Sequence, residues 1–125
     1  MTRIFLFVII TMALTCCNNT ERGERMHTLL VQAKMQNENH IHFTTDSAVM
    51  PVADYYAKHG TIDEQVLSQY ILGCVYRDMG EAPKALQCYH NAMTRAEGAS
   101  GYRNYLLLSK ICGQMAMLFE IISVR

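Results

Sequence analysis

The chain has 125 residues, half of them hydrophobic, and its 11 Lys and Arg balance 11 Asp and Glu. A chain of zero net charge has no basic field for the phosphates of DNA or RNA, so nucleic acid is not expected as a partner. The length fits one domain with a modest core. Trp is absent while Met and Tyr number nine and seven, a composition typical of an adaptable helical core.

The amino terminus has the pattern of a secretory signal. Arg3 precedes an apolar run at residues 4–14, and a short polar segment follows. The run is too short for a membrane-spanning helix, which needs about 20 residues. Residues 1–16 are therefore predicted to be a signal peptide.

The end of this signal resembles a bacterial lipobox, in the run Leu14-Thr15-Cys16-Cys17. The resemblance implies a lipid such as palmitate on Cys17, which has Leu14 three residues before it, with Cys16 as the second choice. It also implies anchoring in the cell envelope, facing the periplasm, with residues 17–23 as a polar tether. A plain secretory peptide with incidental cysteines is the alternative.

A first pair of helices is predicted at residues 24–60. The first helix spans about 24–35 and carries an apolar stripe, and residues 37–43 break it. The hydroxyl and carboxylate groups of residues 45–47 are expected to cap a second helix that runs to His59. Gly60 is expected to end that helix in a left-handed conformation.

The second pair, at residues 61–97, has the clearest signals. Thr61 and Glu64 form a capping-box pattern, which predicts a helix from residue 61 to Met79. Gly80 ends it, and Pro83 lies in the first turn of the next helix. Each helix carries apolar residues at helical spacing, and the small residues among them predict a close approach of the two backbones.

The spacing within this pair resembles the tetratricopeptide repeat, whose pattern runs Leu-Gly, two residues, aromatic, and later Ala, three residues, aromatic. The matching residues and the small residues that accompany them are Leu72, Gly73, Tyr76, Gly80, Ala85, Tyr89 and Ala92. Gln69 stands where the repeat often has Trp. An ordinary antiparallel helix pair is the alternative.

A last helix is predicted at residues 102–122. Its run Met115-Ala116-Met117-Leu118-Phe119 repeats the spacing of residues 72–76 after 43 residues. It is therefore interpreted as the unpaired first helix of a further repeat.

The chain after the signal resembles the tetratricopeptide-repeat lipoproteins of Gram-negative bacteria, and looks like a member shortened at the C-terminus. The resemblance implies an all-α fold in which antiparallel helix hairpins, about five helices in all, stack as a short right-handed superhelix over residues 24–125. It implies a non-enzymatic, membrane-anchored scaffold that binds a protein or peptide partner outside the cytoplasm. In such repeats the first helix of each hairpin lines the groove, which would place Tyr70, Cys74 and Arg77 there.

The alternative function is structural. The apolar side of the last helix would pair with another copy or a longer partner, or the chain would be a truncated remnant of a larger regulatory lipoprotein.

Other chemistry-bearing residues give weaker signals. Cys74, Cys88 and Cys112 have no metal-binding spacing and are interpreted mainly as small core residues, with a Cys74–Cys88 disulfide as the alternative. His40 and His42 do not complete a metal site. Since no thiol–base pair, carboxylate pair or phosphate loop has a catalytic arrangement, no cofactor, metal or enzymatic activity is expected.

Overall fold

The structure is a computed structural model, which describes the backbone of residues 2–124 and the side chains of residues 20–124. Over the described backbone the chain forms five packed helices and no strand, so the predicted all-helical class is confirmed. The helices are α1 (Thr2–Glu38), α2 (Met50–Tyr56), α3 (Ile62–Asp78), α4 (Ala82–Gly98) and α5 (Tyr105–Ser123). The predicted cleavage falls between Cys16 and Cys17. The side chains of both residues lie outside the described range, 20–124.

Helix α1 continues beyond both predicted ends. At its carboxyl end it runs three residues past Met35, and His40 then adopts a positive φ of 57° that reverses the chain. The predicted tether is helical in its described part, and the Arg22 guanidinium lies 5.6 Å from the centre of the Tyr55 ring. This cation–π contact gives the tether residues a reason to pack that their polar composition does not reveal.

A small apolar cluster joins α1 to α2. Met26 and Leu30 of α1 are buried against Val52 and Tyr56 of α2. The stripe predicted for the first helix therefore lies on the face that packs.

Helix α2 is shorter than predicted at both ends: it ends at Tyr56, three residues before His59, and residues 45–47 do not cap its start. It begins at Met50, after Val49, with no side-chain cap. The carboxylate of Asp46 instead accepts a hydrogen bond of 2.9 Å from the hydroxyl of Tyr76 in α3. A tertiary contact to α3 thus replaces the local cap expected from the sequence.

The start of α3 is as predicted. Gly60 has a φ of 79°, and the Thr61 hydroxyl accepts a hydrogen bond of 3.2 Å from the Glu64 amide. In return, the Glu64 carboxylate accepts one of 3.0 Å from the Thr61 amide. The capping box is therefore confirmed.

The α3–α4 pair forms the centre of the main core. Gly80, with a φ of 77°, turns the chain between the two helices. A Cβ on Gly73 would lie 2.6 Å from Cδ1 of Tyr89, so only glycine permits this approach of α3 to α4. The remaining motif residues are buried between and around the two helices: Leu72, Tyr76, Ala85, Tyr89 and Ala92.

Helix α5 begins three residues later than predicted. Tyr102 and Asn104 are held in the preceding turn because both donate hydrogen bonds to the Asp63 carboxylate, at 2.9 and 2.7 Å. Asn104 also caps the helix by accepting from the Leu107 amide at 3.1 Å. One face of α5 packs on the core through Leu107, Ile111 and Leu118.

The rest of α5 leaves many large apolar side chains exposed, namely Tyr105, Leu106, Met117, Phe119, Ile121 and Ile122. Among the described residues, α5 alone is long and apolar enough to cross a membrane by length and composition. This is weak support for a membrane span, because one face of the helix is already part of the protein core.

Candidate binding groove

A groove runs between the carboxyl end of α1 and helix α5, with α3 as its floor. It contains two adjoining cavities, of about 110 and about 650 Å³, which share the lining residues Asn37, Glu38, Tyr70 and Lys110. The inner cavity reaches Leu67 and Asp63, and the outer one opens toward Met117. Three segments distant in sequence therefore converge on one concave surface.

Tyr70 lines both cavities, although only 6% of it is exposed. Its ring centre lies 5.9 Å from that of Tyr89, which fixes it within the core. Burial raises the pKa of its hydroxyl to about 12, so the hydroxyl keeps its proton at neutral pH. Tyr70 therefore presents only a small neutral part of its surface to the groove.

Cys74 does not line the groove, contrary to the expectation from the repeat pattern. Its side chain is fully buried, and Sγ accepts a hydrogen bond of 3.5 Å from the Tyr89 hydroxyl. Burial raises the pKa of the thiol. The close approach of α4 at Gly73 encloses this position, so a partner in the groove does not reach Cys74.

Arg77 lies in the outer cavity, but its guanidinium is already engaged. It contacts Asp78 at 2.9 Å and donates hydrogen bonds of 3.1 Å to both Asn37 and Gln114. The same Asp78 carboxylate accepts a hydrogen bond of 3.1 Å from the Phe43 amide. Arg77 thus connects α1, α3 and α5, and its first role is to hold the walls of the groove.

The remaining charges of the groove are unequally compensated. Asp78 is paired with Arg77, Glu38 lies 3.8 Å from Lys34, and the Asp63 carboxylate of the inner cavity accepts hydrogen bonds from Tyr102 and Asn104. Lys110 lines both cavities, and no ion pair forms at it within residues 20–124. The groove therefore offers a free ammonium group together with amide groups that donate and accept hydrogen bonds.

Several groove residues were not predicted from the sequence, among them Asn37, Lys110 and Gln114. Lys110 and Gln114 had a visible signal, because they are polar residues four apart in a largely apolar helix. Asn37 had none, since its position in a segment expected to break the helix gave it no predicted face.

The cysteines and histidines outside the groove show no further site. In the described part of the chain Cys74, Cys88 and Cys112 are free, the first two buried and the third exposed. The core interpretation thus fits Cys74 and Cys88, whereas Cys112 lies on the surface. His40 and His42 border the outer cavity, and residues 20–124 contain no group of three side chains suited to a metal ion.

Comparison of the chain with models of known protein families, with curated proteins and with solved structures finds no match.

Proposed function

We propose that this chain is a non-enzymatic helical repeat protein of the tetratricopeptide type that binds a peptide or protein segment in the groove between α1, α3 and α5. The observation that carries the proposal is the lining of the groove by alternate helices of the chain. This is the arrangement expected if each hairpin contributes its first helix to a concave surface of a right-handed superhelix.

The chemistry of the groove favours a segment that bears a carboxylate. Lys110 provides an ammonium group without an ion-pair partner in the described structure, and a carboxylate beside it gains a charge-assisted hydrogen bond. Gln114 and Asn37 add amide groups for the ligand backbone. Tyr70 lines the floor of the groove, and Arg77 connects its walls by donating hydrogen bonds to Asn37 of α1 and Gln114 of α5. The proposed role is recognition, which fits a groove whose described lining includes no Ser, Thr or Cys side chain.

Photo-crosslinking tests this proposal in the cells from which the sequence comes. A photoreactive phenylalanine analogue replaces Glu38, an exposed residue that lines both cavities, in the full-length chain. A matched variant carries it at Glu97, which is exposed on α4. We expect a discrete crosslinked partner from position 38 that is absent from position 97, and loss of that partner in Lys110→Glu but not in Lys58→Glu. Equal crosslinking from both positions, or crosslinking from position 38 that is unchanged by Lys110→Glu, would exclude the groove as the binding site.

We also propose that the chain is lipidated and faces the periplasm, on the strength of the run Leu14-Thr15-Cys16-Cys17. Labelling with an alkyne analogue of palmitate tests it. Loss of label in Cys17→Ser and retention in Cys16→Ser are expected; the reverse would move the attachment to Cys16. Equal labelling of both single variants and of the double variant would exclude lipidation at this pair.

A second candidate function is assembly through α5. The observation that favours it is the set of large apolar side chains exposed on this helix, which exceeds what scattered surface residues account for. Sedimentation of the full-length chain in a neutral detergent at several concentrations tests it, and a monomer at every concentration would count against self-assembly.

A further inference from the structure

A continuous stripe of exposed residues runs along α5 beside the groove. Its members follow one another at alternating steps of four and three residues: Leu106, Lys110, Gly113, Met117, Glu120 and Val124, the last being the C-cap residue, which keeps a helical backbone conformation. From first to last the stripe covers five turns of about 3.6 residues, so all six side chains point in one direction. All six are exposed, Leu106 by 70%, Met117 by 51% and Val124 by 87%.

We propose that this stripe, the α5 stripe, pairs in antiparallel orientation with the α5 stripe of a second copy of the chain. A two-fold axis that crosses the exposed side of α5 at the level of residue 115, midway along the stripe, places Leu106 against the partner's Val124, Lys110 against the partner's Glu120, and Gly113 against the partner's Met117. Each contact then occurs twice, as a two-fold interface requires. The proposal rests on the assembly role proposed above and adds the occupant and the register.

Charge complementarity selects the antiparallel orientation. With this register every Lys110 meets a Glu120, whereas a parallel pair would oppose like charges at both positions and lose that attraction. Neither side chain has an ion-pair partner within residues 20–124, so both charges are free to pair across the interface. The net charge of zero adds no general repulsion between copies.

Side-chain size is complementary in the same register. A Cβ on Gly113 would meet nothing within 4 Å, so there is open space at this position, and the glycine itself places no side chain between those of Lys110 and Met117. The partner's Met117, a long and flexible apolar side chain, fits into this gap. Leu106 and Val124, at opposite ends of the stripe, cover each other when the helices run antiparallel.

A lipid bilayer is the competing occupant of this face. It suits the length and hydropathy of α5 but not the stripe itself, because Lys110 and Glu120 would enter hydrocarbon while the opposite face stays packed on the core. A second copy satisfies the same two charges. Pairing would also compete with the groove ligand, because Leu106, Lys110 and Met117 line the groove as well.

A charge-swap experiment on the full-length chain in neutral detergent tests the pairing. The dimer dissociation constant is measured by sedimentation for the parent chain, Lys110→Glu, Glu120→Lys and the double variant. Each single variant turns two attractions into two repulsions, and we expect it to weaken the dimer roughly tenfold. The double variant rebuilds both pairs with reversed polarity and should return to within about threefold of the parent. Lys58→Glu and Glu97→Lys, exposed charge reversals away from α5, should leave the constant unchanged.

The outcomes separate the register from the assembly role. The α5 register is overturned, while self-assembly stands, if the dimer dissociation constant is unchanged in both single variants. The same holds if the double variant dimerises as weakly as the single variants. A monomer at every concentration overturns both. Quenching of a Met117→Trp variant by brominated lipid chains in reconstituted vesicles would show that lipid covers the stripe, which also overturns the pairing. Groove binding fails or survives separately, because the double variant restores pairing but still lacks the Lys110 ammonium group.

Discussion

The Tyr89 ring of α4 lies directly on the backbone of Gly73 in α3. Tyr89 is fully buried, and its hydroxyl donates to the sulfur of Cys74, the next residue of α3. Its Cδ1 lies 2.6 Å from where a Cβ of residue 73 would be, nearer than real Cβ atoms approach their neighbours. This contact sets the separation of the two central helices.

Gly73→Ala should therefore destabilise the fold. Two effects oppose each other: alanine is a better helix former than glycine by about 1 kcal/mol, whereas overpacking a rigid core costs about 1–3 kcal/mol. The cost of overpacking should exceed the gain in helix propensity, because the obstructing atoms belong to the ring of Tyr89 and not to the end of a flexible side chain. We expect the free energy of unfolding to fall by roughly 1–2 kcal/mol, measured by urea denaturation of the full-length chain in detergent.

Gly113→Ala is the matched control for this prediction. It makes the same substitution inside a helix, but in open space. With no clash, the helix-propensity effect should raise the free energy of unfolding by about 0.5–1 kcal/mol when measured below the concentration of self-association. If both variants were stabilised, the close contact between Gly73 and Tyr89 would not govern the packing of α3 on α4.

Local signals of the sequence predicted the central hairpin well, and they predicted the groove poorly. The capping box at Thr61, the turn at Gly80 and the close approach of α4 to α3 at Gly73 depend on neighbours in sequence or on helical spacing. The groove depends on contacts between distant segments, such as Arg77 with Gln114. No local pattern encodes such a pairing.

The failed cap at Asp46 has the same physical cause. Its carboxylate could have capped the helix locally. Instead it accepts a hydrogen bond of 2.9 Å from the hydroxyl of Tyr76, 30 residues later in the chain. A tertiary hydrogen bond to a buried phenol outweighs an exposed cap because water competes less for it. The repeat pattern likewise placed Cys74 in the groove, because a pattern within α3 does not indicate that the Tyr89 ring of α4 covers this residue.

Thr61→Ala should weaken the start of α3. The change removes the side-chain half of the capping box, and such a loss typically costs about 1 kcal/mol. Thr94→Ala, an exposed change within α4, should be neutral or slightly stabilising because alanine is the better helix former. Thermal unfolding by circular dichroism compares the two. Equal effects would mean that the Thr61 hydroxyl does not cap the helix.

The same cap predicts an acid dependence. Its hydrogen bonds, first of all that from the Thr61 backbone amide, lower the pKa of Glu64 below its usual value near 4.5. A lowered carboxyl pKa contributes stability that is present above the unfolded value and disappears as the pH falls through the folded value. Glu64→Gln should therefore unfold more easily than the parent at pH 7, with a smaller difference at pH 3. A constant difference across this range would contradict the assignment.

Buried tyrosines predict a loss of stability in alkali. Burial is the main cause that raises the pKa of Tyr56, Tyr70 and Tyr76 to about 12, against a usual value of 10.0. Because the folded chain retains these protons more strongly than the unfolded chain, their contribution is complete below pH 10 and is lost as the pH rises toward 12. We expect melting temperatures to fall steeply across this interval.

Tyr70→Phe should reduce that alkaline loss, because phenylalanine has no proton to release. Tyr105→Phe, at a residue 69% exposed, is the matched control and should melt with the same pH dependence as the parent. The comparison uses melts of the parent and of both variants between pH 8 and 11.5. If the two variants gave the same curve, burial of the Tyr70 hydroxyl would have no part in the alkaline transition.

Arg77→Ala should act on stability before it acts on binding. The substitution leaves the Asp78 carboxylate, whose side chain is only 7% exposed, with the Phe43 amide but without its cation. It also removes the connections to Asn37 and Gln114. Loss of hydrogen bonds to a largely buried charge should lower the free energy of unfolding by roughly 2 kcal/mol. Arg103→Ala, at an exposed position before α5, is the control and should change it little.

Adding Asp78→Asn to the Arg77→Ala variant separates the two roles of the arginine. The amide removes the unpaired charge, so part of the lost stability should return in urea denaturation. The groove walls would still lack the guanidinium that connects α1 to α5, so crosslinking of a partner from position 38 should stay weak. Lys110→Glu should show the opposite combination, with normal stability and lost crosslinking, because Lys110 is exposed and has no ion pair to break in the described chain. If Arg77→Ala left stability intact and abolished crosslinking, the arginine would contact the ligand directly and would not chiefly support the groove.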